Sequence, residues 1–351
     1  MPFKTIKKLF EKYERLLMPA TLLLGTAVDF ITFKTLDIET TFWILGIYYV
    51  IAAVCIFVLN TVRYERLRIV AKFLIQFTFG ALLSSSLVFY WFSGALSASW
   101  PIMILLALLM VSNEVFNQYY LKPIVQIGLY YFISFSLFAL ALPYAFNSLH
   151  PILFVVAGML GFVIVWLATR VLSKFVQSIQ QMQKQILFLM VAIFISMNAL
   201  YVLNVIPPIP LSLREASVYH NVSRSGSGYL VLAEKESWFD RFVPGQAIHV
   251  RAANRVFVYS AIFAPLKLKT TIAHRWQYYD AVQKKWIDKD RLLFTLSGGR
   301  DEGYRGYSLK SNLAPGKWRV RMETERGQVM GRIEFTIEVV DDLPELVEEV
   351  K

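Results

Sequence analysis

The chain has 351 residues, of which 56% are hydrophobic and only 17% charged, and its mean hydropathy is +0.49. Soluble domains carry about 25% charged residues, so the composition excludes an ordinary soluble protein over the whole length. The net charge of +11 divides into +7 in residues 1–207 (14 Lys and Arg, 7 Asp and Glu) and +4 in residues 208–351 (22 and 18). The larger excess flanks apolar segments, where basic residues set membrane topology, and this distribution argues against a nucleic-acid partner.

Residues 1–15 are predicted to form an amphipathic cytoplasmic leader, in which apolar residues recur at helical spacing with lysines between them. Such a segment fits a helix on the inner leaflet, with its cations near anionic lipid. It equally fits a simple topogenic leader that happens to be helical. Both interpretations make the lipid bilayer a partner of the chain.

Residues 16–206 are predicted to form a seven-helix transmembrane domain, because a helix needs about 20 mostly apolar residues to cross a bilayer. Three proline residues support the boundaries, since proline fits the first turn of a helix. The predicted spans are 16–33, 42–59, 73–93, 101–119, 123–145, 151–169 and 186–206.

The loops predict the orientation of these spans. Thirteen basic residues lie in the N-terminal segment and in the second, fourth and sixth loops, whereas the first, third and fifth loops contain only Lys34. The basic side is expected to be cytoplasmic. Seven spans then place the N-terminus in the cytoplasm and the C-terminal domain in the periplasm or outside the cell, so we expect a multi-pass protein of the bacterial inner (plasma) membrane.

Polar residues inside spans are the default candidates for function. Glu114 has Asn113 beside it and Asn117 one turn on, about two turns from the cytoplasmic Lys122. It is either a carboxylate that couples protons or substrate, or an interfacial residue bonded to Asn117 or to a cation. Asp29 lies near the outer end of the first span, where a boundary or helix-packing role is expected. These four residues are the candidate intramembrane polar site.

Residues 207–212 are a proline-rich linker, and residues 213–340 are predicted to form an all-β, Ig-like antiparallel sandwich. The stretch from Pro315 to Phe335 alternates apolar and polar residues, turns at Arg326-Gly327 and alternates again. This pattern predicts a half-buried β-hairpin. Residues 341–351 form an acidic tail that we expect to be frayed.

The strand pattern also predicts a candidate binding face. His274 shares a strand face with Trp276, whereas Arg275 points the other way. A hydrogen-bonded core or rim histidine is the alternative to a functional His274. The arginines could recognise an anionic glycan, a lipid headgroup or a protein, or they could belong to an ordinary solvated face, because acidic residues are interleaved. The candidate binding residues are His274, Arg275, Arg300, Arg305, Arg319 and Arg321, and Lys267, Lys269 and Lys317 could add to them.

Four segments in the C-terminal part, VFVYSAIFAP, IAHRWQYYD, GYRGYSLKS and PGKWRVRMETERGQVMGRIEF, occur in that order between residues 240 and 340. Together they resemble the C-terminal domain of a bacterial family known as domain of unknown function 2914 (DUF2914). The resemblance implies a small β-sandwich on a bacterial membrane protein. The family has no settled activity, so the resemblance implies no catalytic residues.

No catalytic constellation stands out in the sequence, and we expect no enzyme activity. His220, His249 and His274 are far apart in sequence and lack cysteine companions, so neither a metal site nor a cofactor is expected. The sequence therefore favours an integral membrane protein of the cell envelope whose exterior sandwich binds an envelope protein, an anionic glycan or a lipid. The alternative is a lipid- or solute-handling protein, akin to a transporter or flippase, whose helical bundle is the active part.

Overall fold

The computed structural model describes residues 38–93, 96–115, 119–207, 211–226, 228–235, 246–251, 255–264, 269–297 and 304–351. These residues form two compact units, a helical one and a β-rich one. The predicted leader and the predicted first span, 16–33, lie outside the described residues.

The described part of the helical unit contains seven α-helices and a short 3-10 helix, Tyr119–Leu121. Its α-helices are α1 Ile38–Thr61, α2 Glu65–Ser93, α3 Leu96–Val115, α4 Pro123–Phe146, α5 Pro151–Ser173, α6 Gln177–Gln181 and α7 Gln183–Val202. Proline begins both α4 and α5, as predicted, because its missing N–H would have no partner in a first turn. Pro101, the third proline predicted to begin a helix, lies inside α3 instead.

Five of the described helices are long and apolar enough to cross a membrane: α1, α2, α4, α5 and α7. Only 17% of the most apolar stretch of α7 is buried, and Phe188 on this helix is 77% exposed. Such continuous apolar exposure is unfavourable in water and is typical of a surface covered by lipid. In α4, by contrast, 78% of the corresponding stretch is buried, so α4 is the most enclosed of the five helices.

These five helices coincide with five of the predicted spans, which supports a membrane protein. The predicted span 101–119 falls on α3, where the apolar part is shorter and runs from Ser99 to Asn113. The first predicted span lies outside the described residues, so the total of seven stays a prediction.

The β-rich unit contains eleven strands in its described part. They are β1 Ser212–Tyr219, β2 Asn221–Ser225, β3 Gly228–Glu234, β4 Gln246–Val250, β5 Arg255–Phe263, β6 Lys269–Asp280, β7 Lys285–Ser297, β8 Tyr304–Ser311, β9 Gly316–Thr324, β10 Val329–Val339 and β11 Leu346–Val350. Their order is β1-β5-β8 in one sheet, β4-β10-β9-β6-β7 in a second and β11-β3-β2 in a third.

Strand β5 is buried on both faces. Val256, Val258 and Ile262 belong to the larger core, which also contains Trp276, Trp318 and Phe335 from the five-stranded sheet. Phe257, Tyr259 and Ala261 alternate with them and pack with Val222 and Val231 from the β11-β3-β2 sheet. The β1-β5-β8 sheet is therefore the middle of three layers, which explains why β5 is a nearly continuous apolar run.

The β-rich region is confirmed, but the Ig-like antiparallel sandwich predicted for it is not borne out. Strand β4 runs parallel to β10, so the five-stranded sheet is mixed. The described strands also form three layers rather than two. The physical reason is that β5 lacks a polar face, so each of its faces is covered by another sheet.

The predicted hairpin is confirmed as β9 and β10, which pair antiparallel with Trp318 opposite Phe335. Gly327 lies in the predicted turn and has a φ of 86°, a backbone conformation that glycine adopts without steric cost. Trp318 and Phe335 are both buried in the larger core.

The expectation of a frayed tail is wrong for its last residues. Strand β11 pairs antiparallel with β3, and Lys351 exchanges two backbone hydrogen bonds of 2.8 Å with Tyr229. The Lys351 ammonium also lies 2.9 Å from Glu215. Backbone pairing, rather than burial of its exposed side chains, holds this acidic strand in place.

We therefore expect residues 211–351 to fold without the helical unit, and residues 211–340 to be less stable. Loss of β11 exposes one edge of β3 and removes the Lys351–Glu215 pair, at a cost of about 1–3 kcal/mol. Thermal melts of the two fragments followed by circular dichroism test this expectation. Equal melting temperatures would mean that β11 contributes nothing to the stability of the domain.

Candidate functional site

The candidate site lies on the face of the five-stranded sheet that points away from the larger core, here called the outer face. Along β9, Trp318, Val320 and Met322 enter the core. The side chains between them therefore point to the opposite face, because strand side chains alternate. The outer face of β9 thus carries Lys317, Arg319, Arg321 and Glu323.

Four arginines lie directly opposite one another across this face, one on each of four adjacent strands. Arg291 on β7 pairs with Arg275 on β6. Arg275 pairs with Arg321 on β9, which pairs with Arg332 on β10. We call these four residues the arginine row. Strands are about 4.8 Å apart, so the row extends about 14 Å across the sheet.

Part of this charge is balanced by carboxylates on the same face. Glu323 is only 1% exposed and accepts hydrogen bonds from Nε of Arg275 at 2.9 Å and from Nε of Arg291 at 3.1 Å. Asp288 lies 3.0 Å from Nη1 of Arg275. Burial alone lowers the pKa of Arg275, but the bonds and charges of Glu323 and Asp288 outweigh it and raise that pKa. One end of the row is therefore a closed ion network.

The middle of the face keeps an excess of positive charge. Arg332 pairs with Glu334 at 3.2 Å, but no carboxylate among the described residues lies within 4.0 Å of the charged groups of Arg319, Arg321 or Lys317. Burial lowers the pKa of Arg319, and the nearby charges of Arg321 and Arg332 lower it further. In the described part of the outer face, the arginine row together with Arg319 and Lys317 provides six cations. The carboxylates on this face are four: Glu323, Asp288, Glu334 and Glu338.

Two aromatic side chains border the arginines. Tyr279 on β6 pairs with Trp286 on β7, and their ring centroids are 5.2 Å apart. The guanidinium of Arg319 lies 4.3 Å from the centroid of the Trp286 ring, and its Nε donates to Gln277. Arg319 is therefore held in place by a cation–π contact and a hydrogen bond.

Only some of the predicted binding residues meet on the outer face. Arg275, Arg319 and Arg321 do, together with Lys317. Arg305 lies on β8, opposite Ala261 in the β1-β5-β8 sheet, so it belongs to another layer. Arg300 and Lys267 lie outside the described residues.

His274 lies in the larger core and is fully buried, which agrees with the core alternative. Its two ring nitrogens lie 2.9 Å from the Ser260 hydroxyl and 2.8 Å from the Ser308 hydroxyl. Trp276 also donates to Ser308, at 3.0 Å. This polar network satisfies every nitrogen of His274 inside an apolar environment.

Acid should destabilise the β-rich unit through His274. Burial lowers the pKa of His274 to about 3, against about 6.5 in an unfolded chain. Below pH 6.5 the unfolded state therefore binds a proton that the folded state does not. The free energy of unfolding falls by up to about 1.4 kcal/mol per pH unit as the pH is lowered.

The window from pH 6.5 to 4.5 separates this effect from that of Glu234, a carboxylate whose side chain is 11% exposed. Burial raises the pKa of Glu234, but hydrogen bonds from His220 and His249 outweigh it and lower that pKa below 4.5, so its contribution is lost only below the window. Thermal melts of residues 211–351 across this window should show the free energy of unfolding fall as the pH is lowered. The substitution His274→Gln should make the dependence of stability on pH less steep. Equal slopes would refute the role of His274.

The predicted intramembrane site is described only in part. Asn113 is buried in α3, and its Nδ2 donates to the Gln76 carbonyl of α2 at 3.0 Å, which is a helix-packing contact. The side chain of Glu114 and the whole of Asp29 and Asn117 lie outside the described residues. Gln126 of α4 was not among the predicted residues, but it is fully buried and its side-chain oxygen accepts a hydrogen bond from Asn60 at 2.9 Å.

The fold brings together two histidines that are distant in sequence. His220 Nε2 and His249 Nδ1 each lie 2.8 Å from a different oxygen of Glu234. In the described residues, no group of three or more His, Cys, Asp or Glu side chains is arranged to hold a metal ion. Both carboxylate oxygens of Glu234 accept hydrogen bonds from histidines. The cluster therefore links the end of β3 to β4.

Comparison with known proteins matches one segment of the chain to a family of unknown function. No protein of curated function matches the chain. Among solved structures, a β-glucosidase from Listeria innocua in complex with gluconolactone is 13% identical over 33% of this chain and 17% of its own, with a TM-score of 0.19. The Pseudomonas fluorescens alkylpurine DNA glycosylase AlkC bound to DNA is 11% identical over 78% of this chain and 80% of its own, with a TM-score of 0.22.

The family match covers the strands that carry the arginine row. Residues 269–337 match the family described as protein of unknown function (DUF2914). They begin with β6 and end within β10, so all four arginines lie inside the match. The segment of this chain from Lys269 to Ile337 is thus a DUF2914 segment in the C-terminal part of the chain.

Proposed function

We propose that this chain is a multi-pass protein of the bacterial cell envelope whose β-rich domain lies outside the cytoplasm and binds an anionic partner without catalysis. The binding surface is the outer face of the five-stranded sheet. The arginine row is the observation that carries this proposal.

Like charges directly opposite each other on a sheet are destabilising. Four arginines in one row are therefore costly to the folded domain, and only part of that cost is offset by Glu323, Asp288 and Glu334. Departures from local stability rules of this kind are expected at functional sites. An anionic ligand would remove the repulsion, and guanidinium groups bind carboxylates and phosphates in a bidentate manner.

Binding of a simple polyanion to Arg321 tests the proposal. Fluorescent polyglutamate is titrated against the full-length protein in nonionic detergent at low ionic strength. Arg321→Gln should weaken binding by about tenfold or more, because one charge-assisted contact is lost. The matched control is Arg224→Gln, which removes the same charge from an exposed position on β2. Equal effects of the two substitutions would mean that the arginine row is not the binding surface.

The proposed location rests on the thirteen basic residues against one across the predicted loops. Reporter fusions after Asn60, Ser148 and Lys351 should report inside, outside and outside. A cytoplasmic signal after Lys351 would contradict an exterior β-domain.

The buried polar groups of the helical unit favour a second candidate, a lipid- or solute-handling function. Within the part of the chain that the structure describes, the amide nitrogen of Gln126 and the hydroxyl oxygen of Ser84 are buried and have no hydrogen-bond partner. Such groups are costly in an apolar interior and would be satisfied by water or a polar solute. If Gln126→Leu abolished uptake or export of a solute in reconstituted vesicles, the helical unit would be the active part.

A further inference from the structure

The outer face differs from a simple cationic patch in the chemistry of its neighbouring rows. The row next to the arginines contains Asp288, Gln277, Arg319 and Glu334, in that order across β7, β6, β9 and β10. The row beyond it begins with the aromatic pair Trp286 and Tyr279. Cations, hydrogen-bond acceptors and aromatic rings thus follow one another within three adjacent rows.

We infer that the anionic partner is a linear polysaccharide that carries carboxylate groups and lies across the strands along the arginine row. This inference rests on the proposed function. It assigns each row of the outer face to one chemical feature of an acidic sugar: the carboxylates, the hydroxyl groups and the faces of the rings.

The length of the row favours a polymer over a single small anion. Four guanidinium-bearing residues at about 4.8 Å intervals cannot all contact one carboxylate or phosphate. A chain of regularly spaced anions can contact several of them, including Arg321, which has no carboxylate within 4.0 Å among the described residues. The row contains arginine alone, which suits the planar bidentate recognition of carboxylates.

The carboxylates of the next row favour a sugar over a bare polyanion. Asp288 is 55% exposed and Glu334 is 40% exposed at the side chain. They would repel phosphates or additional carboxylates, but they accept hydrogen bonds from hydroxyl groups. A polymer that presents hydroxyls beside each acidic group satisfies both rows.

The aromatic pair favours a ring-bearing ligand. Trp286 and Tyr279 are both partly exposed and lie beside this second row. Aromatic side chains present a large apolar surface with a polar edge, which suits a ligand that is apolar on one face and hydroxylated at its rim. An extended peptide would instead need an open strand edge for its backbone, and a sheet face offers none.

Binding of polygalacturonate oligomers to the full-length protein in nonionic detergent tests the inference. Methyl-esterified polygalacturonate keeps the rings but loses the charges, and polyglutamate keeps the charges but has no rings. The acidic polysaccharide should bind at least about tenfold more tightly than either control. Trp286→Leu should weaken polygalacturonate binding by about tenfold and polyglutamate binding by less than about twofold.

Tyr279→Leu provides a second variant should Trp286→Leu fail to fold, as judged from its melting curve, and it should show the same selectivity. If polyglutamate binds as tightly as polygalacturonate and neither aromatic substitution changes binding, the partner is an acidic protein or another polyanion and this inference is wrong. If Arg321→Gln leaves binding of both polymers unchanged, the proposed function itself is wrong.

Discussion

Replacement of Trp318 by alanine is expected to unfold the β-rich domain. Trp318 is 3% exposed, packs beside Trp276 with ring centroids 6.5 Å apart, and donates from Nε1 to the Ala314 carbonyl at 2.8 Å. Truncation leaves a large cavity and removes this hydrogen bond, at a cost of about 3–5 kcal/mol. A domain of this size has a total stability of about 5–15 kcal/mol. Thermal melts of residues 211–351 measure the loss.

Arg319→Ala is the matched control, because Arg319 is adjacent in sequence and lies on the opposite face of β9. It loses a contact with Trp286 and a hydrogen bond to Gln277, which together contribute about 1 kcal/mol. If Trp318→Ala melts at the temperature of the Arg319→Ala variant, the core assigned to the five-stranded sheet is wrong.

Replacement of Glu323 by glutamine is expected to have the second largest effect. The Glu323 carboxylate is 1% exposed and bonds both Arg275 and Arg291, whose side chains are 29% and 34% exposed. Removal of its charge leaves two neighbouring guanidinium groups with Asp288 as the one carboxylate within 4.0 Å of them among the described residues. Loss of one partner from a buried ion pair costs about 3–5 kcal/mol, and the partial exposure of the arginines reduces this to about 2–3 kcal/mol.

Asp288→Asn tests whether burial, rather than charge alone, decides this effect. Asp288 also pairs with Arg275 but is 55% exposed at the side chain. Its substitution should cost less than about 1 kcal/mol, because water replaces an exposed carboxylate easily. Chemical denaturation of residues 211–351 compares the two variants. An equal loss of stability in the two variants would contradict the assignment of Glu323 as the centre of the ion network.

The hairpin of β9 and β10 could be predicted because its signals are local. Alternation of apolar residues placed Trp318 and Phe335 inside, and the glycine at position 327 marked the turn. The turn also sets the register that brings Arg321 opposite Arg332. This part of the arginine row could therefore have been found in the sequence, although Arg332 was missed.

The rest of the row depends on pairing between strands that are distant in sequence. Arg275 meets Arg321 only because β6 pairs with β9, and a shift of one residue would have moved every side chain to the other face. Arg291 and Trp286 were missed because β7 shows no clear alternation, and most of its residues are exposed. Arg305 was wrongly grouped with this face because alternation does not reveal to which sheet a strand belongs.

The sequence contains one indication of the three-layer arrangement, although alternation of apolar and polar residues does not reveal it. The β5 sequence RVFVYSAIF is apolar on both faces, which indicates a strand covered on both sides. The pairing of β11 with β3 had no such signal, because its sequence LVEEV is short and acidic and its stability comes from backbone hydrogen bonds. The cluster of Glu234 with His220 and His249 likewise arises from the tertiary fold.

Protection of individual arginines from chemical modification tests the central claim most directly. The full-length protein is treated with phenylglyoxal, with and without saturating polygalacturonate, and modified arginines are identified by mass spectrometry. We expect the polymer to protect Arg321 and Arg332 of the arginine row while leaving Arg224 on β2 as reactive as before. Equal protection of Arg224, or no protection of Arg321, would contradict the assignment of the outer face as the binding surface.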